Sequence, residues 1–262
     1  MKLLTLNCHS WIEEHPIEKM KILAETIKEK SYDVIALQEV NQSIDAESVD
    51  GRIKKDNFAL VLLEELKKLG VNEYSLVWDF SHFSYTVYEE GVALLTKHPI
   101  VEKNSFFVSQ SEDPKNWKTR KIAGITIRFQ DELLRFYSCH LGWWEDEEEP
   151  FKEQLDQLYR MASKDKRFFL MGDFNNAAHI RGEGYDYILS KGLYDTYQLA
   201  KQTDDGITVA GKIAGWDENK HDLRIDYIFS SVPVEVNQSF VIFNEKNKPV
   251  ISDHFGVEVT IK

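Results

Sequence analysis

Short apolar segments that end abruptly in polar side chains recur along this sequence. The clearest is FFLMGDFNN at residues 168–176, where four apolar residues are followed by Gly172, Asp173 and Asn175. The apolar run suits a strand buried on both faces, and glycine permits a sharp turn where the strand ends. Acids and amides after a strand also form turns by bonding to their own backbone. The segment therefore predicts polar groups at a sheet edge. A functional site is favoured over a simple turn only if the same pattern recurs along the chain.

The same arrangement occurs elsewhere, near the ends of other predicted strands. The side chains concerned are Asn7 after LLTL, Glu39 in DVIALQEV, His140 after FYSC, Asp226 before YIFS, and Asp253 with His254 before FGVEV. Each alone has an ordinary explanation, such as an ion pair, a satisfied core histidine or a turn. Their recurrence favours a site, because acids and histidines at the ends of buried strands usually serve function rather than packing.

Helical and strand patterns intermix along the chain. Helices are predicted at 16–30, at 57–69 with Asp56 as the cap, from Pro150 onward and at 185–189. Strands are predicted at 2–6, 33–40, 75–78, 92–96, 122–129, 133–138, 168–171, 225–230, 239–243 and 255–261. Because hairpins are mixed with helices, we expect an α/β fold whose sheets are not purely parallel. With no repeat or linker visible, we expect a single domain over residues 1–262.

Charge and cysteine content narrow the class of protein. The net charge of -12 disfavours a long nucleic acid as the substrate, because binding to phosphates depends on lysine and arginine, whereas a small anionic substrate in a local cavity remains compatible. No apolar stretch is long enough for a signal peptide or a membrane span, so we expect a soluble cytoplasmic enzyme without a membrane partner. Cys8 and Cys139 lack metal-finger spacing and are expected to be small buried residues.

The polar side chains at the strand ends fit one kind of chemistry. A hard divalent cation such as Mg²⁺ prefers one or two carboxylates and keeps open positions for water and phosphate oxygens. Glu39, with help from Asp253 or Asn7, suits such an ion. Histidines nearby can donate protons to phosphate oxygens that gather charge.

Five motifs in this order, LNCHS, QEV, GDFN, RIDYIF and SDHFGV, resemble those of the endonuclease/exonuclease/phosphatase superfamily, which includes deoxyribonuclease I, apurinic endonucleases and sphingomyelinases. The resemblance runs from Leu3 to Val259. It implies a four-layer α/β/β/α sandwich, in which two mixed sheets pack face to face with helices outside. It also implies a metal-dependent phosphoesterase that uses Mg²⁺ or Mn²⁺ and attacks phosphorus directly with water.

The resemblance further implies a role for each matching residue. Glu39 resembles the principal metal ligand, Asn7 lies close to it, and Asp253 resembles an auxiliary ligand. The catalytic set resembles that of the family: Asp173 activates the water, Asn175 donates to the phosphate, His140 and His254 flank the phosphate, and Asp226 fixes the tautomer of His254.

The loops bear on which ester is cleaved. CHLGWW, NWKTRK and GWDENKHDLRIDYIF resemble the bacterial maltose 6'-phosphate phosphatase branch of the superfamily, which implies a phosphorylated sugar as the substrate. The candidate sugar-binding and phosphate-binding side chains in these loops are Trp117, Lys118, Arg120, Trp143, Trp144 and Trp216. Core packing for the tryptophans and a solvated surface for the basic residues are the alternatives. A phosphodiesterase of nuclease or sphingomyelinase type, or a non-catalytic binding protein on the same fold, are the other functions considered.

Overall fold

Two large sheets with helices on their outer faces make up the computed structural model, which describes residues 1–164 and 167–262. The strands are β1 (Lys2–Asn7), β2 (Val34–Ser43), β3 (Ser48–Asp50), β4 (Ile53–Lys54), β5 (Ser75–Ser84), β6 (Tyr88–Thr96), β7 (Ile100–Phe107), β8 (Lys121–Phe129), β9 (Glu132–His140), β10 (Phe168–Asp173), β11 (Tyr194–Asp195), β12 (Ala200–Thr203), β13 (Asp226–Ser230), β14 (Val236–Ile242) and β15 (Gly256–Ile261). The helices are α1 (Pro16–Lys30), α2 (Phe58–Lys68), α3 (Phe151–Ala162), α4 (Gly184–Ser190) and α5 (Thr196–Leu199), with a 3-10 turn at Ser10–Ile12.

Strand pairing is mixed in both large sheets. One sheet has the order β12-β14-β15-β1-β2-β6-β5, and the other has the order β11-β13-β10-β9-β8-β7. Each contains an inner parallel pair, β1 with β2 and β9 with β10, next to antiparallel neighbours. This mixed pairing confirms the predicted α/β class. No helix in the two described ranges is both long and apolar enough to cross a membrane.

Side-chain alternation along the strands produces four layers. Successive strand residues point to opposite faces of a sheet. In β1, Leu4 packs with α1 and α2, whereas Leu3 lies in the core between the sheets. In β10, Leu170 packs with α3 and α4, whereas Phe169 lies between the sheets. The layers are therefore helix, sheet, sheet and helix, as predicted.

The layer between the sheets becomes polar toward the edge where the parallel strands end. Gln38 Nε2 donates to Ser138 Oγ at 3.0 Å across the two sheets, and Thr5 Oγ1 donates to Gln38 Oε1 at 3.3 Å. Asn7 Nδ2, at the end of β1, reaches Asp173 Oδ2, at the end of β10, at 3.2 Å. The carboxyl ends of parallel strands are a common position for ligand sites in α/β folds.

The start of α2 differs from the prediction. Asn57 caps the helix, because its Oδ1 accepts hydrogen bonds from the backbone N–H groups of Ala59 and Leu60. Asp56, the predicted cap, instead accepts from the backbone N–H of Ser43 at 3.0 Å. The cap therefore lies one residue later than the sequence indicated, and Asp56 ties the loop to β2.

Several strands were underestimated or missed. The hairpin of β5 and β6 runs well beyond the predicted 75–78 and 92–96, because its distal half mixes polar residues with apolar ones and so lacks an uninterrupted apolar run. The edge strand β7 was missed, since its middle reads VEKN and lacks apolar alternation. Cys8 and Cys139 are both buried, as expected.

Candidate active site

Strand register brings three polar side chains to one level of the six-stranded sheet. Asp173 pairs with His140 on the parallel strand β9 and with Asp226 on the antiparallel strand β13. Each of the three residues stands at the end of its strand, and all are buried. The register of these strands therefore brings the three side chains to one level.

The Asp173 carboxylate lies at the centre of the arrangement. Its Oδ2 is 3.7 Å from Nε2 of His140 and 3.7 Å from Nε2 of His254. Asn7 Nδ2 donates to the same oxygen at 3.2 Å, and the backbone N–H of Asn175 donates to Oδ1 at 2.8 Å. Burial raises the pKa of Asp173 to about 7, although the charge of His254 opposes this shift.

His254 and Asp226 form a buried pair. Nδ1 of His254 lies 2.9 Å from Oδ2 of Asp226 and donates to it, which leaves Nε2 directed toward Asp173. Burial alone lowers the pKa of His254, but the carboxylates of Asp226 and Asp173 outweigh it and raise the pKa to about 10. The imidazole is therefore a charged donor at neutral pH.

His140 is in the opposite state. Burial lowers its pKa well below the usual value, and the neighbouring charges of Arg120, His82 and His254 lower it further. This imidazole is neutral at pH 7. The two histidines beside Asp173 thus offer one charged and one neutral ring to the same space.

Asn175 is held by its neighbours in an amide orientation that exposes a donor. Trp216 Nε1 donates to Asn175 Oδ1 at 3.2 Å, which identifies that atom as oxygen. Asn175 Nδ2 donates to the carbonyl of Leu141 at 3.0 Å and makes a longer contact of 3.5 Å with Asp173 Oδ2. The longer contact is the weaker of the two.

Glu39 lies at an irregularity in β2. The pairing of β2 with β6 shifts between Leu37 and Val40, and Glu39 adopts a positive φ of 53° there. Such a bulge redirects a side chain and stores backbone strain, which is common at functional sites. Asn7 Nδ2 donates to Glu39 Oε1 at 2.9 Å.

Two of the predicted metal ligands, Glu39 and Asp253, offer carboxylate oxygens to one region, and Asn7 adjoins it through its amide nitrogen. Glu39 and Asp253 both line the main cavity, and the carboxamide of Asn7 lies beside Glu39. Carboxylate and carboxamide oxygens suit Mg²⁺ or Mn²⁺. The residues present therefore fit a hard divalent cation.

A histidine missed by the sequence analysis adjoins this region. His9 Nδ1 lies 2.9 Å from Glu13 Oε1 and 3.8 Å from Asp253 Oδ1. Burial lowers the pKa of His9, but the bond to Glu13 and the charges of Asp253 and Glu39 raise it to about 9. The position of His9 two residues after Asn7 was the available signal.

The site opens into a cavity of about 360 Å³. Catalytic and metal candidates form one part of its lining, namely Glu39, His140, Asp173, Asn175, Asp253 and His254. Trp117, Arg120 and Trp143 also line it, with the two indole rings 6.0 Å apart. The structure thus brings these three loop residues to the same cavity as the candidate catalytic residues.

Three other predicted substrate-binding residues do not line this cavity. Trp144 packs against Phe151 and Tyr187 in the core beneath α3. Lys118 pairs with acidic residues of the 146–148 segment. Trp216 lies behind Asn175 and fixes its amide. These residues therefore act through packing, ion pairing or positioning, and Asp226 likewise stands behind His254.

Sequence reasoning also missed the β5–β6 hairpin as part of the lining. His82, Tyr85 and Glu90 from this hairpin face the cavity. Burial raises the pKa of Glu90 to about 8, with the charge of Glu39 adding to the shift. The hairpin matches none of the five motifs, and its placement depends on the pairing of β6 with β2.

The chain belongs to the Endonuclease/Exonuclease/phosphatase family, whose model matches residues 13–254. Members of this family are metal-dependent hydrolases that act on phosphoester bonds. A family protein from Leptotrichia buccalis C-1013-b is 44% identical, with a TM-score of 0.93, and the match covers 100% of this chain and 99% of that one. A comparison with curated proteins gives no match.

Two more distant structures share the fold. A mannosyl-6-phosphatase from Bacteroides thetaiotaomicron VPI-5482 is 18% identical, with a TM-score of 0.65 over 100% of this chain and 99% of that one. A 3' phosphatase from Neisseria bound to a product DNA hairpin is 16% identical, with a TM-score of 0.65 over the same shares. At these identities the likeness establishes the fold alone.

Proposed function

We propose that this protein is a metal-dependent phosphomonoesterase that hydrolyses a phosphorylated sugar, of the maltose 6'-phosphate kind, by direct attack of water. The observation that carries this proposal is the position of Asp173 Oδ2, 3.7 Å from Nε2 of both His140 and His254. A carboxylate between two imidazoles places a proton acceptor and the cationic donor His254 around one point. Displacement at phosphorus needs both, because the attacking water loses a proton while the phosphoryl oxygens gather charge.

Each residue at this point has a defined part in the reaction. Asp173 accepts the proton of the attacking water, and a pKa near 7 suits a base that works at neutral pH. His254 donates from Nε2 to a phosphoryl oxygen, and Asp226 keeps its ring charged and oriented. Asn175 exchanges its long contact with Asp173 for a phosphoryl oxygen. The neutral ring of His140 supplies a second hydrogen-bonding partner.

The proposal includes a divalent cation. Glu39, Asn7 and Asp253 would hold it, and when bound it would neutralise charge on the phosphoryl group. The carboxylates of Glu39 and Asp253 crowd one cavity with Glu90, and a cation offsets their repulsion.

Monoester specificity is supported by the cavity. A phosphate monoester is a dianion at neutral pH, so it gains more from an additional cation than a diester does. Arg120 supplies that cation from a position that is 3% exposed. Trp117 and Trp143 supply aromatic faces of the kind that pack on sugar rings. The fold likeness to a mannosyl-6-phosphatase agrees with this choice.

A phosphodiesterase of nuclease type is the second candidate. The fold likeness to a phosphatase bound to a DNA hairpin favours it. The net charge of -12 opposes it, because a long polyanion needs a basic surface. A non-catalytic binding protein is less favoured, since the acid, both histidines and both amides converge at one point.

Release of p-nitrophenol from p-nitrophenyl phosphate and from its bis-ester, with and without EDTA, tests the proposal. We expect the monoester to be hydrolysed faster, EDTA to abolish the activity, and Mg²⁺ or Mn²⁺ to restore it. Faster hydrolysis of the bis-ester would make the protein a diesterase. Undiminished activity in EDTA would show that hydrolysis does not require a divalent cation.

A further inference from the structure

Two buried titratable side chains line the cavity without belonging to the phosphoester centre. Glu90 is 7% exposed and His82 is 5% exposed, and they are register partners on β6 and β5. His82 Nε2 lies 3.4 Å from Glu90 Oε1. Burial of polar groups costs free energy unless they find hydrogen-bonding partners. Because both side chains line the cavity, a ligand bound there can form hydrogen bonds with them.

The orientation of the His82 ring defines what it offers. Nδ1 lies 3.1 Å from the carbonyl oxygen of Thr119, which can only accept, so Nδ1 carries the proton. Burial and the charge of Arg120 lower the pKa of His82 to about 3, which keeps the ring neutral. Nε2 therefore presents a lone pair beside the Glu90 carboxyl group.

Further polar atoms in the same wall lack partners. Trp143 Nε1 and Arg120 Nε are buried donors with no hydrogen-bond partner within the part of the chain that the structure describes. Both residues line the cavity. The wall thus presents the acceptor groups of Glu90 and His82, and these two buried donors belong to residues that line the same cavity.

The charge of the lining favours a neutral ligand at this wall. The carboxylates of Glu39 and Asp253 face the cavity, so a second anionic group would be repelled. A hydroxyl group both donates and accepts, and neighbouring hydroxyls of a sugar match a wall of mixed donors and acceptors. Aromatic rings beside such a wall cover the apolar face of the same ring.

We propose that Glu90 and His82 form a hydroxyl-binding subsite that holds the neutral sugar portion of the substrate beside the phosphoester centre. The inference rests on the proposed function and deepens it, because it names the residues that distinguish a sugar ester from an aryl ester. Glu90 and His82 select the substrate and take no part in bond cleavage.

Inhibition of p-nitrophenyl phosphate hydrolysis by neutral maltose and glucose tests the subsite without requiring a sugar phosphate. In the wild type we expect at least one of the two sugars to compete with the aryl substrate. Glu90→Met removes both oxygens and should raise Ki at least about tenfold, as expected for a lost hydrogen bond to a charged or strongly polar group. Glu90→Gln retains one donor and one acceptor and should keep most of the affinity.

Glu89→Met is the matched control. Glu89 neighbours Glu90 on β6, but its carboxylate contacts Gln42 Nε2 and Lys54 Nζ outside the cavity. The Ki of the sugars for Glu89→Met should therefore stay within about twofold of the wild-type value. His82→Asn retains a donor for the Thr119 carbonyl and removes the lone pair, so it should raise Ki as Glu90→Met does. Melting temperatures identify any variant that fails to fold.

Two results would overturn the subsite. One is a wild type that neither sugar inhibits, and the other is a folded Glu90→Met with unchanged Ki. The proposed function has a separate readout, which is the ratio of kcat/KM for maltose 6'-phosphate to that for the aryl ester in the wild type. If this kcat/KM ratio is low but sugar inhibition depends on Glu90, the proposed function is wrong and the subsite stands. If the ratio is high but the sugars do not inhibit, the proposed function stands and the subsite is wrong.

Discussion

The two histidines beside Asp173 differ in charge because each ring has different neighbours. His254 donates to the buried carboxylate of Asp226, which stabilises the imidazolium. Burial favours the neutral ring of His140 by lowering its pKa, and the charge of Arg120 lowers the pKa further. A single centre thus obtains a charged donor and a neutral partner from the same residue type.

The dependence of His254 on Asp226 can be measured with a double-mutant cycle. Asp226→Asn and His254→Ala should each lower kcat on p-nitrophenyl phosphate by about 100-fold or more, in the range of acid–base catalysis. The double variant should be little worse than His254→Ala, because the acid acts through the imidazole. If the fold-losses in kcat of the two single variants multiply in the double variant, the two residues act independently and the proposed pair is wrong.

Glu39 carries the expected metal requirement. Glu39→Gln exchanges a carboxylate for an amide, which is a poorer ligand for a hard cation. The Mg²⁺ concentration that gives half-maximal activity should rise at least about tenfold, and isothermal calorimetry should show weaker Mg²⁺ binding. Glu89→Gln, a carboxylate outside the cavity, serves as the control. Wild-type Mg²⁺ dependence in Glu39→Gln would remove Glu39 from the metal site.

The protonation state of His82 predicts that the folded protein loses stability in acid. Its pKa is about 3 in the folded protein and near 6.5 in the unfolded chain, so the unfolded chain binds the extra proton between these values. Stability contributed by the neutral ring is therefore present above pH 6.5 and falls as pH decreases toward 3. The melting temperature should fall more between pH 7 and pH 5 in the wild type than in His82→Asn. Equal decreases in both proteins would contradict the assigned state of His82.

At the scale of secondary structure, the site depends on close contact between β9 and β10. Gly172 precedes Asp173, and a Cβ atom at this position would lie 1.8 Å from the carbonyl oxygen of Cys139. The sequence predicted a glycine that ends the strand, but β10 continues to Asp173. The glycine is needed because the two backbones approach closely, and that approach sets Asp173 level with His140.

Gly172→Ala should therefore destabilise the protein and misplace Asp173. We expect a loss of at least about 2 kcal/mol, as in an overpacked core, and a melting temperature lower by roughly 5 °C. Gly192→Ala is the matched control, since its backbone also has a positive φ but nothing lies within 4 Å of the added Cβ. Differential scanning calorimetry compares the two. Equal effects of both substitutions would show that backbone strain, and not the contact with β9, sets the cost.

The individual strands also show which features of the site could be predicted from the sequence alone. β1 and β10 were predictable because uninterrupted apolar runs end at Asn7 and Asp173. The bulge at Glu39 was not, since its positive φ arises from pairing with β6. Glu90 and His82 were missed for a related reason: only the long hairpin register shows that they face the site. Motifs therefore predicted residues that come together around Asp173, whereas long-range pairing determined the cavity wall.

At the scale of the molecule, the acidic surface and the local site have opposite tendencies. A net charge of -12 repels polyanions over the surface as a whole. Inside the cavity, by contrast, Arg120 and the charged ring of His254 supply positive charge. The combination favours a small phosphorylated molecule over a nucleic acid.

A direct competition between substrate classes tests this central claim. The measurement is kcat/KM for maltose 6'-phosphate, p-nitrophenyl phosphate and a short single-stranded oligonucleotide, all with Mg²⁺ at one ionic strength. We predict the highest value for the sugar phosphate, since the cavity adds contacts to the sugar beyond those to phosphate. Trp143→Ala should lower the ratio of kcat/KM for the sugar phosphate to kcat/KM for the aryl ester. If the oligonucleotide is cleaved faster than every sugar phosphate tested, the sugar phosphomonoesterase account is wrong.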